Sequence, residues 1–331
     1  STYVPSESKQ LNKQILQDVQ GGISSVSIST RNFWNTSAID DIFDGVHTDM
    51  IDIHVRGAFP EFALASIFKW TRENQFDFSK MSYFANINPL EHLSNIDYII
   101  QKYSSLGRLF TISSQDYHMR GATDKTELAI VISQLLWILR DRDQTVFENL
   151  LIHIPVDSNF YMSITKIRTL RNLLDKIQNY LGVTDIQAKI PIKAESSMRM
   201  MSCIDPFVNV LRTTVAASAC VVGGVDHISI LPYDRVFVEE GKDLDSEMGH
   251  RIARNIHSLL DEEVLMGFTK DPTRGSYYFE SQTDSLSRAV WEQVQDWERR
   301  GGFMSIKNEI PVLLSQEQQS RNEKIQFAKI Q

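Results

Sequence analysis

A tyrosine and a histidine stand side by side at the point where a predicted strand ends. Tyr117 and His118 follow the β-branched run at residues 109–114. In a parallel barrel they would therefore lie at the carboxyl edge of the strands, where barrel enzymes build their active sites. An imidazole N–H at such an edge can polarise a substrate carbonyl without transferring its proton. We predict that the pair lines a pocket; the alternative is a histidine that packs at the strand end and bonds to backbone.

Three polar residues on one predicted helix form a second candidate site. Arg251, Arg254 and Asn255 have the chemistry to bind phosphates or a carboxylate at a barrel mouth. An equally good interpretation is a helix face that forms salt bridges with nearby acidic residues, namely Asp243, Asp245 and Glu247. The sequence has no His-Glu-x-x-His or Cys/His cluster, so we predict no metal site. It also has no Gly-x-Ser-x-Gly elbow, although a Ser-His-Asp triad remains open.

The spacing of apolar residues predicts the elements that would position these side chains. Short β-branched runs alternate with longer stretches of helical spacing, for example residues 125–140, 158–181 and 284–297. This alternation is typical of βαβ units with a parallel sheet, and no Gly-x-Gly-x-x-Gly follows the first strand. Seven strands and a weaker eighth at residues 264–269 favour a closed (β/α)8 TIM barrel, an α/β fold, over an open doubly wound sheet. The seven strands are predicted at residues 24–29, 50–55, 82–87, 109–114, 150–156, 185–193 and 227–231.

Length and composition bound the organisation and the partners of the chain. We expect a helical lead-in at residues 1–20, a barrel at 21–310 and a polar, solvated C-terminal helix or linker at 311–331. With 331 residues and 42% hydrophobic content, the barrel has the side chains for a large core. The net charge of −8 argues against nucleic acid or an anionic membrane as the main partner. Cys203 and Cys220 form no disulfide framework and no apolar span indicates export or anchoring, so we expect a cytoplasmic protein.

Several motifs follow one another in the order of a known family. They are Glu-Ser-Ser-Met-Arg at 195–199, Asp-Pro-Phe-Val-Asn-Val-Leu-Arg-Thr-Thr at 205–214, Gly-Gly-Val-Asp-His at 223–227, Arg-Ile-Ala-Arg-Asn at 251–255 and Asp-Pro-Thr-Arg-Gly-Ser-Tyr at 271–277. The series resembles the substrate-binding barrel of the coenzyme B12-dependent methylmalonyl-CoA mutase family, specifically over residues 116–303. The resemblance implies that Tyr117 and His118 belong to the substrate pocket and that the histidine bonds the thioester carbonyl. It also implies a set of substrate-binding candidates, namely Asn88, Arg251, Arg254, Asn255 and Ser276.

The sequence departs from the catalytic chains of that family. Only Met119 and Arg120 separate His118 from the following Gly-Ala pair, which is the spacing of the smaller, non-catalytic subunit. Asn88-Pro89-Leu90 stands where the family has Gln-Asn-Asp, and no matching arginine follows to pair with a substrate carboxylate. The resemblance therefore implies a small (beta) subunit with a degenerate site and a structural or assembly role. An alternative is a competent acyl-CoA mutase barrel that uses a cobalamin domain on another chain, and a third is an unrelated barrel hydrolase or lyase.

The resemblance also implies a cofactor and partners. Adenosylcobalamin would be bound mainly by another domain or chain, and we expect none on this chain alone. Asp52-x-His54-x-x-Gly57 matches a cobalt-ligand motif in form, but it lies inside a predicted strand, so we interpret His54 as a barrel-interior side chain. The expected partner is a catalytic large (alpha) subunit or a second copy, and acyl-CoA is the expected ligand. The candidate contact faces are residues 205–222 and 284–300, although Trp291 and Trp297 in the latter also suit a barrel rim.

Overall fold

Seven strands of the computed structural model form one parallel sheet in which every strand pairs with its neighbours in the chain. The structure describes residues 8–29, 36–57, 60–80, 82–140, 145–183, 189–239 and 246–330. The strands are buried on both faces and rich in β-branched residues, as expected of a sheet covered by crossover helices. They are β1 (Ser25–Ser29), β2 (Asp52–Arg56), β3 (Ser82–Ile87), β4 (Gly107–Ser113), β5 (Leu150–Val156), β6 (Ile192–Ser196) and β7 (His227–Ser229).

The sheet curls until its two ends face each other across an interior. The ring of His54 on β2 lies 4.5 Å from that of Phe84 on β3 and 5.3 Å from that of His227 on β7. Strands that are five positions apart in the sheet therefore contact each other through their inward side chains. This is the architecture of a TIM-like barrel, and the predicted α/β barrel is confirmed.

Helices follow the strands and cover the outside of the sheet. Thr123 and Asn159 begin two of the long ones by accepting backbone hydrogen bonds from Thr126 and Met162, respectively. None of the helices in the described ranges has the length and apolarity that a membrane span requires. They are α1 (Ser8–Gln20), α2 (Thr36–Phe43), α3 (Pro60–Glu73), α4 (Ile96–Tyr103), α5 (Gln115–Met119), α6 (Asp124–Leu139), α7 (Thr145–Glu148), α8 (Phe160–Tyr180), α9 (Val208–Gly223), α10 (Arg235–Glu239), α11 (Ser246–Ser258), α12 (Tyr277–Arg299), α13 (Phe303–Ile306) and α14 (Ile310–Ile330).

The first half of α14 packs against the barrel, although the sequence favours a solvated segment there. Ile310 and Leu314 are buried in the main core. The Glu317 carboxylate accepts hydrogen bonds from Thr123 N at 2.8 Å and from the Thr126 hydroxyl at 2.6 Å. The Glu317 side chain thus caps the N-terminus of α6, where a carboxylate also complements the helix dipole.

Two predicted strands differ from the structure. The weak eighth strand at residues 264–269 is wrong: Leu265 has a left-handed φ of 53° and a 3-10 turn covers Met266–Phe268. Leu265 is 60% and Phe268 90% exposed, so no burial stabilises an extended strand at this position. The sixth strand begins at Ile192 rather than at residue 185, directly after Pro191, whose nitrogen cannot donate to a ladder. Residues 185–188 of that prediction lie outside the described residues.

Candidate functional site

A cavity of about 850 Å³ opens at the carboxyl ends of the strands. Side chains from β1 to β6 line it, together with residues of α5 and of the segment after β3. In a TIM barrel this end of the sheet is where ligands bind. The walls are mainly polar, which distinguishes them from the bulky branched side chains that fill an ordinary barrel interior. The polar and charged lining residues that lie on the strands include Ser27, His54, Arg56, Thr111, Ser113, His153, Lys193 and Glu195.

Strand register places the inner polar residues side by side. Ser113 pairs with His153, His153 with Lys193 and Lys193 with His227 on successive strands from β4 to β7. The Ser113 hydroxyl lies 3.0 Å from His153 Nδ1. Burial lowers the pKa of His153 to about 4, so this imidazole is uncharged at neutral pH. The cavity therefore has a floor of small or neutral polar groups around one lysine.

A salt bridge crosses the cavity above that floor. Arg56 Nη1 on β2 lies 3.1 Å from Glu195 Oε2 on β6. Burial acts to raise the pKa of Glu195, but Arg56, His153 and Lys193 together hold it below its usual value. Burial lowers the pKa of Lys193 to about 8, against the attraction of Glu195. The guanidinium is thus already neutralised by a protein carboxylate, and an anionic ligand would have to compete with Glu195.

His54 is an interior side chain, as the sequence predicts. Its ring stacks on Phe84 and is 4% exposed, and burial, with Lys193 as the next cause, holds its pKa well below the usual value. Asp52 of the same motif lies at the start of β2, where its carboxylate is 3.5 Å from His227 Nδ1. No three His, Cys, Asp or Glu side chains among the described residues are grouped so that they could hold a metal ion.

Tyr117 and Asn88, two of the candidates from the sequence, both line the cavity. The Tyr117 hydroxyl accepts a hydrogen bond of 3.0 Å from Gln134 Nε2. Burial raises the pKa of this hydroxyl, and the bond from Gln134 opposes the shift. Asn88 is held at the end of β3 by its own turn: its amide donates to Glu91 Oε1 and its oxygen accepts from Leu90 N. Asn88 directly follows β3 and Tyr117 lies on the short helix α5 just after β4, which is why the sequence order places both at this end of the barrel.

His118 lies beneath the cavity and not in its wall. Its ring is 1% exposed, with Nδ1 at 2.5 Å from Glu127 Oε1 and Nε2 at 2.7 Å from Ser197 Oγ. Burial lowers the pKa of His118, although Glu127 opposes this, so the ring is neutral at physiological pH. Because the carboxylate can only accept, Nδ1 carries the proton and Nε2 accepts from the Ser197 hydroxyl. His118 therefore has no N–H left to offer to a ligand.

The remaining sequence candidates lie on other surfaces. Arg254 on α11 binds the buried Asp18 of α1 at 2.5 Å. The sequence had suggested either a ligand anion or the nearby acidic residues as its partner, and not Asp18. Arg251 lines the same small cleft between these helices, while Asn255 is exposed. Ser276 lies at the N-terminus of α12. Asp243 and Asp245 fall outside the described residues. The structure thus brings Tyr117 and Asn88 to one cavity and separates them from this group.

The charged residues that shape the cavity were not predicted from the sequence. Arg56, Lys193 and Glu195 come from two strands, and 139 positions separate the partners of the salt bridge. One signal was present: Ile-Lys-Ala-Glu-Ser at 192–196 alternates charged residues within a strand that is otherwise apolar. In a barrel strand, alternate residues point to the interior, so a Lys-x-Glu pair there marks a polar core.

Comparison with known proteins gives consistent matches. The family model described as Methylmalonyl-CoA mutase matches residues 40–326. The chain is 33% identical over 203 residues to a "Probable methylmalonyl-CoA mutase small subunit" of Mycobacterium bovis, a match that covers 60% of the chain and 33% of that protein. It is 26% identical over 321 residues to the small subunit of Streptomyces virginiae, covering 91% of the chain and 51% of that protein. A large subunit of Porphyromonas gingivalis matches at 28% identity over 249 residues, covering 72% of the chain and 34% of that protein. The chain spans about a third to a half of the length of these relatives.

Proposed function

Because the chain belongs to the methylmalonyl-CoA mutase family, we propose that it is the barrel of a small (beta) mutase subunit. In this role it assembles with a catalytic large (alpha) subunit that interconverts methylmalonyl-CoA and succinyl-CoA. Its own cavity is degenerate and does not carry out the isomerisation. The small-subunit names of the relatives support the choice of subunit, and the local geometry described above supports the loss of activity.

The proposed loss of activity rests on which ring nitrogen of His118 carries the proton. A histidine that polarises a thioester carbonyl needs an N–H directed at that oxygen. Here the Nδ1 proton is committed to Glu127, and Nε2 is an acceptor for Ser197. Glu127 is itself fixed by the Lys166 ammonium at 2.5 Å, so the arrangement cannot easily reverse. The histidine stabilises the base of the cavity and leaves the carbonyl of any acyl-CoA without its donor.

Within the part of the chain that the structure describes, the Asp52–Gly57 motif does not fit a cobalamin. His54 is the residue that the motif would assign to cobalt, and its ring is stacked on Phe84 inside the barrel. A cobalt ligand needs a nitrogen that reaches the corrin from an open surface, and His54 is 4% exposed. We therefore assign adenosylcobalamin to another domain or chain of the assembly and derive no step through it.

An apolar stripe on α9 is the best candidate for the contact with the large subunit. Phe207, Leu211 and Val215 follow one another at four-residue steps on one face of this helix and its N-cap, and Leu211 is 69% exposed. The 3-10 turn at Met266–Phe268 contacts α9 and adds the exposed Phe268. The second predicted face is less suitable, because Trp297 is buried in the main core and Trp291 is only 38% exposed. Adjacent exposed apolar residues of this kind favour a protein partner.

Reconstitution tests the proposal. The purified chain, alone and mixed with a large mutase subunit, is analysed by sedimentation velocity and assayed for mutase turnover with adenosylcobalamin. We expect a stable complex of the two chains and turnover only when the large chain is present. A chain that ignores the large subunit, yet isomerises methylmalonyl-CoA when given a separate cobalamin domain, would contradict the proposal.

That outcome would instead support a competent barrel that borrows its cobalamin domain. One observation favours this second candidate: Tyr117 lines the open cavity with its hydroxyl oriented by Gln134. The cavity of about 850 Å³ also has room for a small acyl group. The same assay, repeated with Tyr117→Phe, distinguishes the non-catalytic subunit from the competent barrel, because only a competent barrel would lose turnover on this change.

A further inference from the structure

Lys193 presents a buried amine to the cavity. It is 7% exposed, lies on β6 and lines the cavity. Among the described residues its Nζ has no hydrogen-bond or salt-bridge partner. By contrast, the buried Lys166 binds Glu127, Asp124 and the Pro155 carbonyl. A buried ammonium without hydrogen-bond acceptors is unfavourable, so this site raises the fraction of neutral amine, which is the nucleophilic form.

A histidine occupies the position paired with Lys193 on the adjacent strand. His153 is the register partner of Lys193 on the adjacent strand, and both residues line the cavity. Its Nδ1 is held by the Ser113 hydroxyl at 3.0 Å, whereas Nε2 has no hydrogen-bond partner among the described residues. With a pKa of about 4 the imidazole does not hold a second proton at neutral pH, but it can relay one by accepting at one nitrogen while releasing at the other toward the Ser113 hydroxyl. The lysine thus has both the open space and the proton carrier that addition to a carbonyl requires.

We propose that Lys193 is a nucleophile that binds small aldehydes or ketones covalently, as an imine, with His153 moving the protons. The Nζ lone pair forms the C–N bond, the carbonyl π pair moves to oxygen, and one N–H proton passes to that oxygen. The resulting carbinolamine then loses its hydroxyl together with the second N–H proton as one water molecule, which leaves the C=N bond. This series of reaction steps is redox-neutral and needs no co-reactant. It is independent of the mutase proposal, because it requires neither cobalamin nor a second chain.

The cavity restricts the class of ligand. Arg56 is already bound to Glu195 at 3.1 Å, and Glu61, Glu91 and Asp116 also line the walls. An anionic carbonyl compound would therefore meet more negative than positive charge. We infer a neutral, polar carbonyl compound as the ligand.

Reductive trapping tests this inference on the unmodified chain. The protein is incubated with pyridoxal and then with sodium cyanoborohydride, and the modified lysines are identified by peptide mass spectrometry. A lysine with a pKa of about 8 has roughly 200 times more neutral amine at pH 7 than an unperturbed one. Lower basicity reduces the reactivity of each neutral amine, so we expect Lys193 to be modified at least tenfold faster than the exposed Lys176. The rate at Lys193 should level off above pH 8.

Variants make the assignment specific. Lys193→Arg should abolish the fast reaction, and Lys176→Arg should leave it unchanged. His153→Gln should slow imine formation at Lys193 several-fold without moving the midpoint of its pH profile, which a purely structural role of His153 would not do. Modification of Lys193 no faster than that of Lys176, or a rate that rises through pH 10, would overturn the proposal.

Discussion

Lys166 Nζ lies 2.5 Å from Glu127 Oε2, and both side chains are buried where α8 meets α6. The same carboxylate holds His118 through its other oxygen, so one glutamate neutralises the lysine and fixes the histidine tautomer. Burial acts to raise the pKa of Glu127, but Lys166 and His118 hold it below its usual value. The network explains why a histidine next to a ligand cavity is turned away from it.

Glu127→Gln should destabilise the protein by about 3–5 kcal/mol, because it leaves the Lys166 ammonium buried without its counter-charge. Urea denaturation at pH 7 measures the change in the free energy of unfolding. Glu73→Gln is the matched control, since Glu73 pairs with Lys69 on an exposed helix face and should cost less than about 0.5 kcal/mol. Equal effects of the two substitutions would show that the buried network does not have the strength assigned to it.

Lys193→Met should stabilise the protein at neutral pH. The folded-state pKa of about 8 is below the usual value of 10.5, so the buried ammonium destabilises the native state below pH 8. A shift of this size corresponds to about 3 kcal/mol, as an upper bound. As pH rises from 8 to 10.5, the unfolded chain loses its proton as well, and the difference between wild type and variant should disappear. Denaturation of both proteins at pH 7, 9 and 10.5 measures this convergence; a constant difference across the three would contradict the assignment.

Leu211→Asp should weaken association with the large subunit at least tenfold, or about 1.4 kcal/mol, because it places a charge in the middle of the apolar stripe on α9. Since Leu211 is exposed in the isolated chain, the thermal stability of that chain should hardly change. Trp291→Asp provides the comparison, because it tests the other predicted face. If Trp291→Asp disrupts the complex and Leu211→Asp does not, the contact lies on α12.

Mixing the chain with adenosylcobalamin or hydroxocobalamin should give no stoichiometric complex after gel filtration, as followed by visible absorption. The reason is that His54 is enclosed by Phe84 and His227. Cobalamin that co-elutes with wild type and is lost in His54→Ala, but not in His47→Ala at an exposed position, would reverse this conclusion.

The parts of the fold that follow from local patterns were predictable. β3 and β5 occupy the predicted residues, because each is a short run with aromatic or β-branched residues, bounded by turn residues. Tyr117 and Asn88 reach the cavity because each lies within a few residues of the end of a strand. The predicted strand at residues 264–269 failed because its apolar side chains are exposed, which periodicity alone does not reveal.

The orientation of side chains depends on partners that are distant in the sequence. The side chain of His118 turns inward because Glu127 and Ser197 receive it, and Ser197 is 79 positions away. Arg254 contacts Asp18, 236 positions away, although acidic residues nearer in the chain are equally plausible from sequence. Such contacts follow from the closing of the barrel and not from any motif.

The close approach of α14 to the turn after His118 makes the C-terminal helix a mechanical support for one wall of the cavity. Gly121 has a φ of 105°, and a Cβ there would come within 2.6 Å of Gln318 Cβ. Any side chain at position 121 would lift the helix and pull Glu317 away from Thr123 and Thr126. α14 therefore packs closely against the turn that follows α5, the helix that carries Tyr117. We therefore expect a partner that binds α14 to alter the position of α5 and with it the cavity wall.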